Sequence, residues 1–371
     1  MIAICQIRHP CYTFIIMSAQ DEILLTEIEA LKEKINTVQL PADLSERALS
    51  MIDRLTRMAA HGGYSSEYEA INRYIDWIVN LPWQARSQDN LNLTNAKAVL
   101  DKNHYGLSEI KDRILEYLAV LSLQSKTRSD LEKGRIRAPI LCLVGLVGTG
   151  KTTLGFSIAQ ALGRKFERIP FGGMGDSLTL RGQTRAFPDA EAGAVIKAVR
   201  RAQTKNPVIL LDEIDRVAEG ARSDIMGVLI ELLDPEQNIA FTDHFIDYPF
   251  DLSEVLFVAT ANNTTNISTA VLDRLEPLQM PSYSDEEKTT IAKSYVFPKT
   301  VKEAGLGEGQ LIIAEAVWPQ IVRPLGFDSG IRTLERTIQG ICRKVARMIV
   351  EGKGQTFTIT VENVKEFLPT W

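Results

Sequence analysis

Apolar residues recur at three- and four-residue spacing through the first third of the chain. "DEILLTEIEALKEKI" sets them on one stripe with Glu and Lys opposite, which predicts an amphipathic helix. "SERALSMIDRLTRMAA" repeats the pattern and is expected to stop at Gly62-Gly63. "SSEYEAINRYIDWIVNLPW" follows and ends at Pro82, and "NAKAVLDKNHYGLSEIKDRILEYLAVLSL" predicts two helices broken at Gly106. The segments are short and unequal, so a mixed helical arm over residues 18–130 is expected rather than an isolated coiled coil.

Near Arg137 the period changes. "APILCLVG" is a short apolar run closed by glycine, suited to a buried parallel strand. Strand-like and helix-like stretches then alternate through "FERIPF", "AVIKAVRRAQTK", "PVILLDEID", "IMGVLIELLD" and "EVLFVATAN", which predicts an α/β fold with a parallel-sheet core over 131–280. A long polar stretch, "FGGMGDSLTLRGQTRAFPDAEAG", reads as loop: Pro188 bars a helix through it, and the helical pattern resumes near Ala190. One large aromatic, Phe187, stands in that loop between a basic and an acidic flank. From "SDEEKTTIAKSYVFP", where Ser284 and Glu287 suit a capping box, the pattern turns helical again. Residues 281–371 are therefore expected to form a small, mainly helical domain with a short strand at "TFTIT".

Composition narrows the function classes. A chain of 371 residues with 45% hydrophobic residues can build two to three cores. A net charge of −5, with both signs mixed, argues against a strong nonspecific hold on nucleic acid or an acidic membrane. No stretch approaches the ~20 apolar residues of a membrane span. Cys5, Cys11, Cys142 and Cys342 form no CxxC pair or His/Cys cluster, so neither a disulfide framework nor a zinc site is expected. Cys142 and Cys342 lie in apolar patterns that predict buried thiols, and a cytoplasmic setting fits. "MIAICQIRHPCYTFIIM" resembles a poor signal peptide, and Met17 is an equally natural start. Residues 1–17 are expected to be a disordered or misassigned extension.

The candidate chemistry begins at Gly145-Leu146-Val147-Gly148-Thr149-Gly150-Lys151-Thr152, which matches GxxxxGK[ST] between a predicted strand and a predicted helix. Glycines let backbone N–H groups approach phosphate oxygens, and the helix N-terminus, with Thr153 in its first turn, adds a favourable dipole. Lys151 is expected on the β- and γ-phosphates and the Thr152 hydroxyl on Mg²⁺, so ATP and Mg²⁺ are the expected cofactors. "VILLDEID" ends a strand in Asp212, a candidate Mg²⁺ ligand, and Glu213, a candidate general base. Asn262, near the end of "LFVATANN", either orients the attacking water or touches the γ-phosphate, or simply ends a strand in a turn.

These motifs, in this order with "LDRLEPL" and "GIRTLER", resemble an AAA+ ATPase. "ELLDPEQNIAFTDHFIDYPFDLSEVLFVATAN", "YIDWIVNLPW", "HYGLSEIKDRILEYLAV" and "GIRTLERTIQGICRKVAR" are more specific and resemble the ATPase module of the Lon protease family, from about residue 20 to the end. The resemblance implies that Arg274 is the finger acting on a neighbouring subunit's ATP and Arg332 the sensor arginine of the same chain's helical domain. It places His104, Tyr105 and Ile110 on the adenine side, with a packed, hydrogen-bonded tyrosine as the alternative for that segment. Phe187 and Pro188 fall at the aromatic and aliphatic positions of a loop that grips unfolded polypeptide in the pore of a homo-oligomer, usually a hexamer, with Phe187 packed under the loop against its domain as the alternative. The family shows tyrosine, a flexible aliphatic and glycine there, and two prolines at Leu146-Val147.

Nothing in the chain resembles the family's Ser–Lys peptidase motif or its large N-terminal substrate-binding domain. Two explanations stay open: a fragment of a longer protein, or a stand-alone ATPase that unfolds proteins or serves a separate peptidase. An ATP-binding scaffold that does no threading, motivated by "FPDAEAG", is one rival. A nucleic-acid motor is the other, and the acidic balance argues against it.

Overall fold

A computed structural model describes residues 19–59, 66–127, 140–323 and 330–368. The expected extension at 1–17 with Cys5 and Cys11, the stop at Gly62-Gly63 and the change of period at Arg137 lie outside the described residues. The described chain forms two compact units. One holds the first three helices together with residues 185–189, and the other runs from Gln84 onward.

The first unit packs α1 (Ala19–Thr37), α2 (Ala42–Ala59) and α3 (Ser66–Val79). The helical spacing seen in sequence becomes its core: Ile28, Leu31 and Ile35 of α1, Leu44, Ala48 and Ile52 of α2, and Tyr74, Ile75 and Ile78 of α3. Lys32–Asp53 is an exposed pair between α1 and α2, of the kind that contributes little. Past α3, Trp83 turns back and its indole Nε1 donates to the Ile78 carbonyl at 2.7 Å.

The second unit is built on five parallel strands. In chain order they are β1 (Ile140–Val144), β2 (Phe166–Pro170), β3 (Val208–Asp212), β6 (Leu256–Ala261) and β7 (Leu275–Gln279), arranged β2-β3-β6-β1-β7. β4 (Phe241–Thr242) and β5 (Pro249–Phe250) form a separate antiparallel pair. All residues of β1, β3 and β6 are buried, as expected of strands covered on both faces. β7 was not predicted, because "LEPLQ" carries a glutamate and a proline. It is an edge strand, where Pro277 removes no needed ladder bond. The other edge, β2, carries the charged Glu167 and Arg168.

Helices cover this sheet: α4 (Leu93–Asn103), α5 (Ser108–Thr127), α6 (Lys151–Leu162), a single turn α7 (Leu178–Arg181), α8 (Ala194–Ala202), α9 (Arg222–Leu233) and the turn α10 (Thr269–Leu272). Leu154 and Ile158 of α6, Leu100 of α4 and Ile114 and Leu118 of α5 share one core with Leu143, Leu210 and Val258 of the strands. "FGGMGDSLTL" is not wholly loop. Leu180 is buried, and the Asp176 carboxylate accepts the Leu178 N–H at 2.8 Å, which together support the turn α7. α8 starts at Ala194 rather than near Ala190, after a Gly193 N–H that donates to Asp243 Oδ2 at 2.7 Å.

The C-terminal part joins α11 (Asp285–Ile291), α12 (Phe297–Glu303), β8 (Leu311–Ile313), α13 (Trp318–Val322), α14 (Arg332–Val350), β9 (Phe357–Ile359) and α15 (Val364–Phe367). The capping box is present: Glu287 N–H donates to Ser284 Oγ at 3.2 Å and Ser284 N–H to Glu287 Oε2 at 2.8 Å. β9 pairs in parallel with β8, whose "LII" is too short to declare itself in sequence. Leu334, Ile338, Ile341 and Val345 of α14 form the spine of this core with Trp318. Cys142 and Cys342 are buried free thiols, and burial pushes them up to about 12 and about 11. No helix among the described residues is long and apolar enough to cross a membrane.

Residues 84–90 are stitched to the sheet unit by polar contacts. Arg164, its side chain 6% exposed, bonds both Asp89 oxygens at 2.8 and 2.6 Å and the Glu254 carbonyl at 2.9 Å. Asn206 bonds Asp89 Oδ1 and the Ser87 backbone. A buried guanidinium that loses its counter-charge is costly. Asp89→Asn is expected to lower unfolding stability by about 3 kcal/mol, read as a lower urea midpoint at unchanged slope.

Candidate functional site

The register of the sheet carries three polar segments to one edge. Val144 pairs with Ala261 and Leu211 with Ala259, so the residues that follow β1, β3 and β6 emerge side by side. Gly148, Gly150, Lys151, Thr152 and Thr153 line one pocket with Asp212, Glu213, Asn262 and Arg332. Arg168, Ile331, Glu335 and Val147 complete its wall.

The turn after β1 takes left-handed backbone at Gly148 (φ 84°) and Gly150 (φ 91°), conformations open to glycine at little cost. Gly150 is the N-cap of α6 and offers no side chain to the first N–H groups of that helix. Those donors, with the positive end of the helix dipole, suit an anion. Lys151 is buried. Its Nζ donates to the carbonyls of Gly145 at 2.5 Å and Leu146 at 3.0 Å and to Asn262 Oδ1 at 3.3 Å. Desolvation lowers its pKa, opposed by the charges of Asp212, Asp215 and Glu213. A buried ammonium resting on neutral carbonyls, beside uncapped helix N–H groups, fits the phosphates of a nucleotide.

Asp212 ends β3 at 4% exposure. Thr260 Oγ1 donates to its Oδ1 at 2.5 Å, and Arg168 grips its Oδ2 through Nε at 2.7 Å and Nη2 at 2.6 Å. The same Thr260 hydroxyl accepts the Glu213 N–H at 2.8 Å, fixing two acids with one side chain. Glu213 has φ 59°, a strained value for a side chain of this size. Its carboxylate lies so close to Gly172 that a Cβ there would stand 2.8 Å from Oε2. Asp215 is buried behind it, with Oδ2 accepting the Asn263 N–H at 3.3 Å. The oxygens of Asp212 and the Thr152 hydroxyl are hard donors of the type Mg²⁺ takes.

The C-terminal domain meets this turn directly. The Ile331 N–H donates to the Gly148 carbonyl at 3.0 Å, and Tyr283 OH donates to the Thr149 carbonyl at 3.1 Å. Burial pushes the Tyr283 hydroxyl up to about 12, so it remains a donor. A Cβ on Gly330 would overlap the Val147 carbonyl and the Gly148 backbone.

Other expected site residues lie outside the pocket wall. Gly145 packs against Met280, and Thr149 is buried with its hydroxyl on the Leu146 carbonyl. His104 is buried, its Nε2 2.9 Å from Ser157 Oγ of α6, while Ile110 sits in the core and Tyr105 is 38% exposed. Arg274 bonds Asp234 Oδ2 at 2.8 Å and the Ala270 carbonyl at 2.7 Å. Phe187 and Pro188 belong to the first unit. Arg168 and Thr260 escaped the sequence reading. For Thr260 the available signal was a polar residue inside an apolar strand, and Arg168, beside Glu167 in a mixed strand, gave none.

Two family models match this chain. Residues 141–282 match the ATPase family associated with various cellular activities (AAA), and residues 302–357 match the Lon protease AAA+ ATPase lid domain. The chain is an AAA+ module of the Lon protease family. It is 46% identical over 342 residues to the Lon protease of Lawsonia intracellularis, covering 92% of this chain and 40% of that protein. The Lon protease of Syntrophomonas wolfei is 41% identical over 92% of this chain and 41% of its own length. Lon protease 2 of Thermus thermophilus is also 41% identical, over 92% of this chain and 42% of its own length. The module thus spans about two fifths of the length of these curated relatives.

Two outcomes are expected of the Lon-family module. Gly330→Ala should weaken binding of a fluorescent ATP analogue about tenfold, because the lid can no longer close backbone to backbone on the turn. His104 has its pKa lowered from 6.5 to about 4, by desolvation first and by Lys111 second. The unfolded chain therefore binds the extra proton more readily. The stability gained from the neutral ring is whole above pH 6.5 and is lost as pH falls towards 4, about 3 kcal/mol in all. In His104→Gln, urea midpoints measured between pH 7 and pH 4 should fall less steeply than in the parent chain.

Proposed function

We propose that this chain binds ATP with Mg²⁺, hydrolyses it at subunit interfaces, and uses the turnover to unfold or move polypeptide. The observation that carries the reading is the convergence of Lys151, Thr152, Asp212, Glu213, Asn262 and Arg332 on one pocket. Lys151 and the N-terminus of α6 hold the phosphate chain, and Thr152 and Asp212 hold the metal. Bound there, Mg²⁺ supplies the charge that offsets the phosphate oxygens. Glu213 takes the proton of the attacking water, Asn262 orients that water, and Arg332 opposes charge on the terminal phosphoryl group.

Arg274 lies outside its own chain's pocket wall and is held by Asp234, whose pKa that contact lowers. A role on a neighbour's nucleotide requires a homo-oligomer, and a hexamer is the proposed form. The substrate is unfolded protein, gripped by Phe187, whose side chain is 62% exposed in a polar loop. A separate peptidase is a candidate partner, nucleic acid and membrane are not, and the setting proposed is cytoplasmic.

Steady-state ATP turnover with and without casein tests this. Glu213→Gln is expected to lower turnover at least about 100-fold while keeping nucleotide binding. Casein should stimulate the parent chain, and Phe187→Ala should lose that stimulation. Binding without turnover would favour a scaffold, and stimulation by DNA alone a nucleic-acid motor.

A further inference from the structure

The tip of the polar loop, residues 185–189, is grouped with the helical unit of α1–α3 rather than with the rest of its own loop. Two contacts join the tip to α3. The Arg185 guanidinium carbon stands 3.9 Å from the centroid of the Tyr74 ring. Arg73 Nη1 donates to the Pro188 carbonyl at 3.0 Å. Both partners are neighbours on α3, and Tyr74 is 2% exposed, so its ring is a fixed wall of the helical core.

These contacts bracket Phe187, one two residues before it and one immediately after it. Pro188 adds a fixed φ on the same side. An aromatic on an untethered loop collapses onto nearby apolar surface, because burial of the ring is favourable. Here the backbone on either side is held while Phe187 stays 62% exposed. A cation over an aromatic face combined with a hydrogen bond to a carbonyl holds a chain in place without covering the side chain between them.

We propose that α3 is the mount of the substrate loop, with Tyr74 and Arg73 as positioning residues that hold Arg185 and Pro188 and present Phe187 to apolar side chains of an unfolded polypeptide. The proposal rests on the reading of Phe187 as the polypeptide contact. It also accounts for the stiff Phe-Pro in place of a flexible aliphatic and glycine: a mounted tip needs no hinge of its own.

The test leaves buried Tyr74 unaltered and uses Arg73→Ala and Arg185→Ala, with Arg73→Lys and Arg185→Lys as conservative variants, all in the full chain. Hydrogen exchange at the amides of 185–187 and 189 is expected to quicken at least about tenfold in the alanine variants. The casein concentration for half-maximal stimulation of ATP turnover should rise about fivefold. Turnover without casein should stay unchanged, and the lysine variants should recover most of both effects. Unchanged exchange in both alanine variants overturns the mount. Faster exchange with an unchanged casein response, while Phe187→Ala still loses stimulation, overturns the positioning role alone. If Phe187→Ala has no effect either, the polypeptide reading fails and the mount's purpose fails with it.

Discussion

In a parallel sheet every strand runs the same way, so whatever follows the apolar run of each strand must emerge at the same edge. β1, β3 and β6 are buried along their whole length, and the one charge they carry, Asp212 at the end of β3, is paired with Arg168. The charge is therefore confined to the strand ends, where Asp212 falls beside Thr260 and the residues after Val144 and Ala261, Gly145 and Asn262, leave the sheet together. The turn to α6, the lid that closes on it and the acids facing it all hang on that one alignment.

Three of the site's charges have close neighbours, while Asp215 Oδ1 is buried with no hydrogen-bond partner among the described residues. Lys151 rests on two loop carbonyls, Arg168 on Asp212, and Glu213 lies 3.4 Å from Arg216. Thr260 matters more than its size suggests, because one hydroxyl fixes the carboxylate of Asp212 and the backbone of Glu213 together. The glycines at 172 and 330 act by what they lack. A side chain at either would meet the Glu213 carboxylate or the turn of the phosphate loop.

The departures from the family pattern sit on exposed residues, and Val147 among them also lines the pocket. Leu146 and Val147 stand where two prolines are usual, and both side chains are exposed. The backbone geometry at Gly148 and Gly150 is set by glycine and by the lid contact, so it does not depend on that pair. Phe187 and Pro188 are likewise at a surface, with the surrounding backbone fastened to α3.

Helical periodicity announced α1 to α5, continuous apolar runs the central strands, and the Ser-x-x-Glu spacing the capping box at Ser284, because each is written in contiguous residues. The GxxxxGKT segment was legible for the same reason: its turn, donors and lysine are neighbours in the chain. Edge strand β7, the short β8 and the turn α7 were not, since their local sequences are ambiguous and only packing against a partner selects them. Arg168 reaches Asp212, Thr260 braces Glu213 and Gly330 meets Gly148 across 44, 47 and 182 residues of chain. No spacing rule links such pairs. Long-range pairing of strands and the close approach of two backbones decide them, and these are properties of the folded molecule alone.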